Sequence, residues 1–293
     1  MSPLHLTLAL LTMLIWGLNF VVVRLGLATL PPLLFSALRF LLSAIPLVFF
    51  VRRPAIPTNL LIRWGITQFA LQFGFLFTGL ELGMPAGLTS LVIQIQAFLT
   101  IALSVAFLGE RPGPLQIVGA IVSLAGLVVA GLFIGSKATL IGFCLVLAAG
   151  TAWASANFMT KRMGKIDPVS LVAWGSLVAV GPLAFCSLIF EGPGAIATAY
   201  HDANWISVGA VLYQSYANTL LGYTVWSYLV ARYPSAVIAP LPLLVPIVGM
   251  ASGTLMLGEP MPLWKWVAAA LVLGGLALNQ MQGAVRPKLA PEA

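Results

Sequence analysis

The stretch WGLNFVVVR, Trp16–Arg24, has an echo in WASANFMTKR, Trp153–Arg162. In the first, Asn19-Phe20 follows Trp16 and Arg24 closes the segment; in the second, Asn157-Phe158 follows Trp153 and Arg162 closes it. The two asparagines stand 138 positions apart, and further echoes follow in order along the chain. Pro32 and Pro46 recur as Pro168 and Pro182 at an offset of 136. Leu108-Gly109-Glu110 recurs as Leu257-Gly258-Glu259, Pro85 as Pro234 and Gly126 as Gly275, all at an offset of 149. An ordered series of this kind marks an internal repeat covering the chain in two copies.

What each copy contains follows from hydropathy. Of 293 residues, 60% are apolar and 7% are charged, whereas soluble domains carry roughly a quarter charged residues. A soluble fold with this composition would expose more apolar surface than it could hide. About 20 apolar residues make a helix long enough to cross a bilayer. The segments that qualify are Leu4–Val23, Leu33–Val51, Gly65–Leu82, Ala86–Leu108, Leu115–Ile134, Leu140–Met159, Val169–Phe190, Trp205–Val230, Ala236–Leu257 and Leu263–Met281. Turn-forming and charged residues separate most of them, with the longest loop at Glu191–Asn204. The expected fold is all-α: a polytopic membrane protein of ten transmembrane helices in two inverted five-helix repeats. The repeats are placed at 1–135 and 136–282, with a cytoplasmic tail at 283–293. Five crossings per copy is an odd number, so the second copy must insert upside down, which is a transporter signature. The substrate site is then expected near the bilayer midplane, where the halves meet.

Charge sets the orientation. With the N-terminus inside, the cytoplasmic loops and C-terminus hold Arg52, Arg53, Arg63, Arg111, Lys161, Arg162, Lys165, Arg232, Arg286 and Lys288. The opposite side holds Arg24, Lys137 and Lys265, so both termini are predicted cytoplasmic. No Lys or Arg precedes Arg24, so the first run reads as a spanning helix and not as a cleaved signal. Arg39 is left over as the lone cation inside a span, and its repeat counterpart is Gly175. It either snorkels or binds carbonyls or a substrate carboxylate.

The seven acids, Glu81, Glu110, Asp167, Glu191, Asp202, Glu259 and Glu292, all fall at span ends or in loops. Glu110 and Glu259 read as helix-end caps at equivalent turns. An intramembrane carboxylate is the usual proton or sodium handle, so carboxylate-based ion coupling is not expected. No catalytic residue and no metal cluster can be assembled from His5, His201, Cys144 and Cys186. The basic residues form no patch interleaved with aromatics, so nucleic acid is excluded as a partner. The expectation is a non-enzyme that needs no cofactor.

Uncharged polar side chains in the spans carry the substrate-site reading, since amides in hydrocarbon need a partner or a wet cavity. Gln68 and Gln72 share a face of span three, and Ser90 and Gln94 a face of span four. Gln96, Thr100 and Ser104 share another face, read as interhelical contact. In span eight Tyr213, Tyr216, Tyr223 and Ser227 fall within one helical face, bordered by Thr219, with Asn218 and Trp226 elsewhere. Trp16 with Asn19, and Trp153 with Asn157, are placed symmetrically about the site, either as helix contacts or as substrate contacts. The substrate-binding candidates are therefore Gln68, Gln72, Ser90, Gln94, Tyr216, Thr219, Tyr223, Trp16, Asn19, Trp153 and Asn157. Prolines that free backbone carbonyls are the gating candidates: Pro46, Pro182, Pro240, Pro242 and Pro246. Gly119, Ser123, Gly126, Gly274 and Gly275 look like small-residue packing faces.

Trp16-Gly17-Leu18-Asn19-Phe20, Pro31-Pro32, Leu38-Arg39-Phe40, Met84-Pro85-Ala86-Gly87 and Leu108-Gly109-Glu110-Arg111, with their second-half echoes, resemble the drug/metabolite transporter superfamily. Within it the chain is similar, over nearly its whole length, to the ten-helix exporters built from two EamA domains. The resemblance implies a bacterial inner-membrane exporter of amino acids and related metabolites. It also implies a central cavity lined by spans three, four, eight and nine. Glu259 is followed by Pro260 where the family often has Arg. The four-helix drug exporters of the superfamily carry a glutamate in the first helix, and this first span has none. The expected activity is facilitated, alternating-access export of neutral and aromatic amino acids and similar small metabolites. The partners are these solutes and membrane lipid; a monomer would suffice. The rival readings are a membrane-embedded lipid- or isoprenoid-processing enzyme, or a carrier of nucleotide sugars or lipids.

Overall fold

The computed structural model describes residues 2–108, 112–133, 140–164, 166–232 and 241–285. These residues are helical almost throughout and contain no strand. Ten rods follow in chain order. They are α1 (Pro3–Gly26), α2 (Pro32–Val48), α3 (Thr58–Glu81), α4 (Ala86–Val92, then Ile95–Leu108) and α5 (Pro114–Leu132). The second five are α6 (Leu140–Met163), α7 (Pro168–Asp202), α8 (Trp205–Leu212, Tyr213–Leu221 and Gly222–Arg232), α9 (Leu241–Leu257) and α10 (Leu263–Val285). Six of them, α1 and α3 to α7, are long and apolar enough to cross a bilayer, and α2, α9 and α10 are shorter apolar helices. Prolines start α1, α2, α5 and α7 within the first two positions, where a missing N–H costs nothing.

Neighbour relations repeat between the halves. α5 packs on α10 and α2 on α7, each pairing equivalent helices. The contact of α1 with α9 is matched by that of α6 with α4, and α3 with α6 by α8 with α1. An exchange of this form is a two-fold relation between the halves, so the ten helices of this polytopic membrane protein pack as two related sets of five.

The α5–α10 seam is built from small residues. A Cβ on Gly119 or Gly275 would collide with the backbone of the facing helix. The Ser123 hydroxyl donates to the Val272 carbonyl across the seam at 3.0 Å. Gly126 faces Val272 and Ala268, whereas Gly274 faces open space and lies outside the seam. The opposite stripe of α5, Ile117, Ile121, Leu124 and Val128, is exposed, as a lipid-facing surface requires.

Several boundaries differ from the sequence expectation. α3 begins at Thr58, not near Gly65, because its first turns hold Asn59 and Arg63 and dilute the hydropathy. The loop expected at Glu191–Asn204 contains a helix, Gly192–Asp202, entered through Gly192 at φ +80°. At the same bend the Glu191 carboxylate accepts from the Leu33 and Leu34 amides at 2.6 and 3.0 Å, capping α2. α4 breaks at Ile93 and Gln94, where the bonds tighten to three-residue spacing: Gln94 N to Leu91 O at 3.2 Å and Ala97 N to Gln94 O at 3.0 Å.

Candidate substrate cavity

A cavity of about 350 Å³ opens in the middle of the bundle, between the halves. It lies within the volume range of small-molecule sites. α1 contributes Trp16, Asn19 and Phe20; α2 contributes Arg39; α3 contributes Gln72, Phe73 and Leu76. α4 contributes Ile93, Gln94 and Gln96 from its break, and α6 contributes Trp153 and Asn157. Asn218, Tyr223 and Trp226 come from α8, and Pro242 and Val245 from α9. Beside the C-terminal end of α1 the bundle is solid, filled by Val23, Leu27, Phe35, Phe77, Leu80 and Met84.

Of the eleven residues expected to bind substrate, seven line this cavity: Trp16, Asn19, Gln72, Gln94, Trp153, Asn157 and Tyr223. Four do not. Gln68 is buried behind Gln72 and donates to its Oε1 at 2.8 Å, fixing that amide's orientation. Ser90 donates to the Gly87 carbonyl at 2.6 Å and packs against Gly249. The break in α4 separates Ser90 from Gln94, so the shared face read from four-residue spacing does not exist. Thr219 is fully buried, accepts from Arg39 and donates to the Gln214 carbonyl at 2.8 Å. Tyr216 is 41% exposed on the outer surface.

The Tyr216 reading fails for a local reason. Residues Tyr213–Leu221 form a π-helix, whose wider turn changes the angular step on which a helical face is computed. Tyr216 rotates outward, while Asn218 and Trp226, read as lying elsewhere, come to the cavity. Ile66–Leu71 in α3, the counterpart of α8, is also π-helical. No local composition marks either segment. In α8 the Asn218 carbonyl accepts from Trp16 Nε1 of α1 at 3.2 Å, and the Gln214 side chain donates through Nε2 to the Asn19 carbonyl of α1 at 3.4 Å. Tyr213 hydroxyl donates to the Ile15 carbonyl at 2.7 Å.

Trp16 anchors an aromatic wall, with ring centroids 5.6 Å from Tyr223 and 5.7 Å from Trp226. Facing polar groups are amides. Asn157 Nδ2 donates to Gln96 Oε1 at 3.0 Å and approaches Thr100 Oγ1 at 3.4 Å. The symmetric asparagines thus differ: Asn157 is engaged across a helix contact, while Asn19 Oδ1 is buried without a partner.

Arg39 does not snorkel. It is fully buried, with its guanidinium carbon 4.0 Å from the Phe73 ring centroid and 5.0 Å from that of Phe40. Nε and Nη2 donate to Thr219 Oγ1 at 3.2 and 3.0 Å, and Nη1 has no partner. At the equivalent Gly175 a Cβ would collide with the Trp64 ring, so that position has no room for a side chain.

Among the gating candidates, Pro46 and Pro182 sit inside α2 and α7. Pro242 lines the cavity and Pro246 is buried in α9. Pro240 and Glu110 lie outside the described residues, as does the tail beyond 285. Glu259 caps α4 of the other half, as its reading as a cap anticipates.

The model of the EamA-like transporter family matches residues 4–132 and again 140–281. The chain is 41% identical over 278 residues to a probable amino-acid metabolite efflux pump of Salmonella typhimurium, covering 93% of each chain. It is 39% identical to a protein of the same description from Escherichia coli, again over 93% of each. One crystal structure shares the fold at a TM-score of 0.55 and 21% identity, over 96% of this chain and 97% of that one. The two matched repeats and these relatives place the chain in the EamA-like transporter family.

Proposed function

We propose that this protein exports amino acids and related small metabolites from the cytoplasm across a bacterial inner membrane, by alternating access and without ion coupling. The observation that carries the reading is the central cavity, lined by aromatic rings and side-chain amides together. Aromatic rings with polar tips suit apolar side chains, and amides suit polar backbone groups. The relatives described as amino-acid efflux pumps support the same class of cargo. Trp16, Asn19, Gln72, Gln94, Trp153, Asn157 and Tyr223 are the proposed contacts.

The repeats, 1–135 and 136–282, are the proposed moving units, with Pro46, Pro182, Pro242 and Pro246 as hinges and both termini cytoplasmic. Two observations support an uncoupled cycle. Glu191 and Glu259 are each committed to two backbone amides at a helix start. Among the described residues, the cavity lining holds one charged side chain, Arg39, and no carboxylate.

Purified protein in liposomes preloaded with unlabelled amino acid tests the proposal. Labelled cysteine, leucine or phenylalanine is expected to enter by exchange, with rates unchanged by protonophore or by replacing sodium. A strict requirement for either ion gradient removes the uncoupled cycle. Flux of no amino acid removes the cargo.

A further inference from the structure

Two side chains that line the cavity each hold a buried polar atom without a partner, and the two atoms are of opposite polarity. Arg39 Nη1 is a buried cationic donor without a partner, and Asn19 Oδ1 is a buried acceptor without one. Both residues line the same cavity. Buried polar atoms are nearly always satisfied, and an unpaired buried charge is costlier still. Among the described residues no carboxylate pairs with Arg39; the ion pair there is Arg24 with Glu81 at 3.9 Å, at the far end of α3.

The rest of the guanidinium is held in place. Thr219 Oγ1 spends its own hydrogen on the Gln214 carbonyl and offers lone pairs to Nε and Nη2. Phe73 covers one face at 4.0 Å. The Arg39 carbonyl accepts from Ser43 of its own helix at 2.9 Å and from Ser215 of α8 at 3.0 Å, the second bond tying α2 to α8. Nη1 is what remains for a ligand. A guanidinium prefers planar carboxylates, and such bonds strengthen in a dry site.

We propose that Arg39 and Asn19 form a clamp for the zwitterionic end of the substrate, the α-carboxylate on Arg39 Nη1 and the α-ammonium on Asn19 Oδ1. The side chain then lies along Trp16, Tyr223 and Trp226. The clamp selects free α-amino acids over their amides, esters and decarboxylated amines. It rests on the amino-acid reading above and specifies which part of the cargo is recognised. It leaves the side chain unselected, because the fixed contacts are to the part all amino acids share.

The test uses the full-length protein in liposomes with cysteine, leucine and phenylalanine, each as the free acid and as the amide. Wild-type protein is expected to carry at least one free acid about tenfold or more faster than its amide, as loss of a charge-assisted bond implies. Arg39→Gln is expected to lower free-acid flux by a similar factor, and Arg39→Lys to retain part of it. Asn19→Leu should shift competition toward 3-phenylpropionate, which lacks the ammonium. Acids and amides carried alike by wild type overturn the clamp alone, even if Arg39→Gln fails to fold. Folded Arg39→Gln with undiminished free-acid flux does the same. Flux of no free amino acid overturns the cargo reading, and the clamp with it.

Discussion

The carboxylate of Glu259 closes the start of α4 at Ala86: Oε1 accepts from the Ala86 amide at 2.6 Å, and Oε2 from Gly87 at 3.0 Å. The donor helix belongs to the first half and the acceptor to the second. A two-pronged charged cap at a helix N-terminus satisfies amides that would otherwise be orphaned and meets the positive end of the dipole. Lys265 holds the same turn by donating to the Pro260 carbonyl at 2.9 Å. Glu259→Ala is expected to cost about 1–3 kcal/mol, and Glu259→Gln less. The readout is the temperature at which the protein loses its monodisperse peak in size-exclusion chromatography.

Thr219 positions Arg39 without touching the cavity. Thr219→Val keeps the shape but removes the acceptor of both Arg39 bonds, leaving more of a buried cation unsatisfied. Stability should fall by about 1–3 kcal/mol, and Thr219→Ser should restore it. A purely structural role would leave the free-acid to amide flux ratio unchanged; the expected result is a lower ratio in Thr219→Val.

Tyr216 and Tyr223 should behave oppositely. Tyr223 lines the cavity beside Trp16, and Tyr216 lies on the outer surface. Tyr223→Ala is expected to reduce flux per folded molecule by about fivefold or more, given the worth of an aromatic contact. Tyr216→Ala should stay near wild type. Equal loss in both would place the cavity elsewhere on α8.

At the α5–α10 seam, Gly275→Leu drives a branched side chain into Gly119 and Ser123. Overpacking costs about 1–3 kcal/mol, or more where backbone must move. The expected outcome is a sharp fall in detergent-stable yield. Gly274→Leu, one residue away but facing open space, should express normally.

The all-helical membrane architecture and its duplication were legible because both rest on signals carried by every residue in a segment: hydropathy and ordered echoes. Glu259 as a cap was legible from its place after Leu257-Gly258. Seven of the expected contact residues reached the cavity because polar amides and paired tryptophans have few other uses in hydrocarbon. Tyr216, Asn218 and Trp226 were misplaced because face assignments assume a constant angular step, which the π-helical turn in α8 interrupts. The break at Ile93 and Gln94 was equally silent. It contains no proline or glycine, and beside it the Ile95 side chain sits where Gly150 of α6 leaves room. Arg39 stood out by charge alone, but whether it was satisfied depended on Thr219, 180 residues later in the chain.

Gly175, whose missing side chain leaves space for Trp64, bears on how the two halves differ. Arg39, at the equivalent place of the first half, carries a buried guanidinium to the cavity lining. Among the described lining residues the single charge therefore comes from the first half, and the second half contributes none. A solute in the chamber meets two halves alike in fold and unlike in electrostatics.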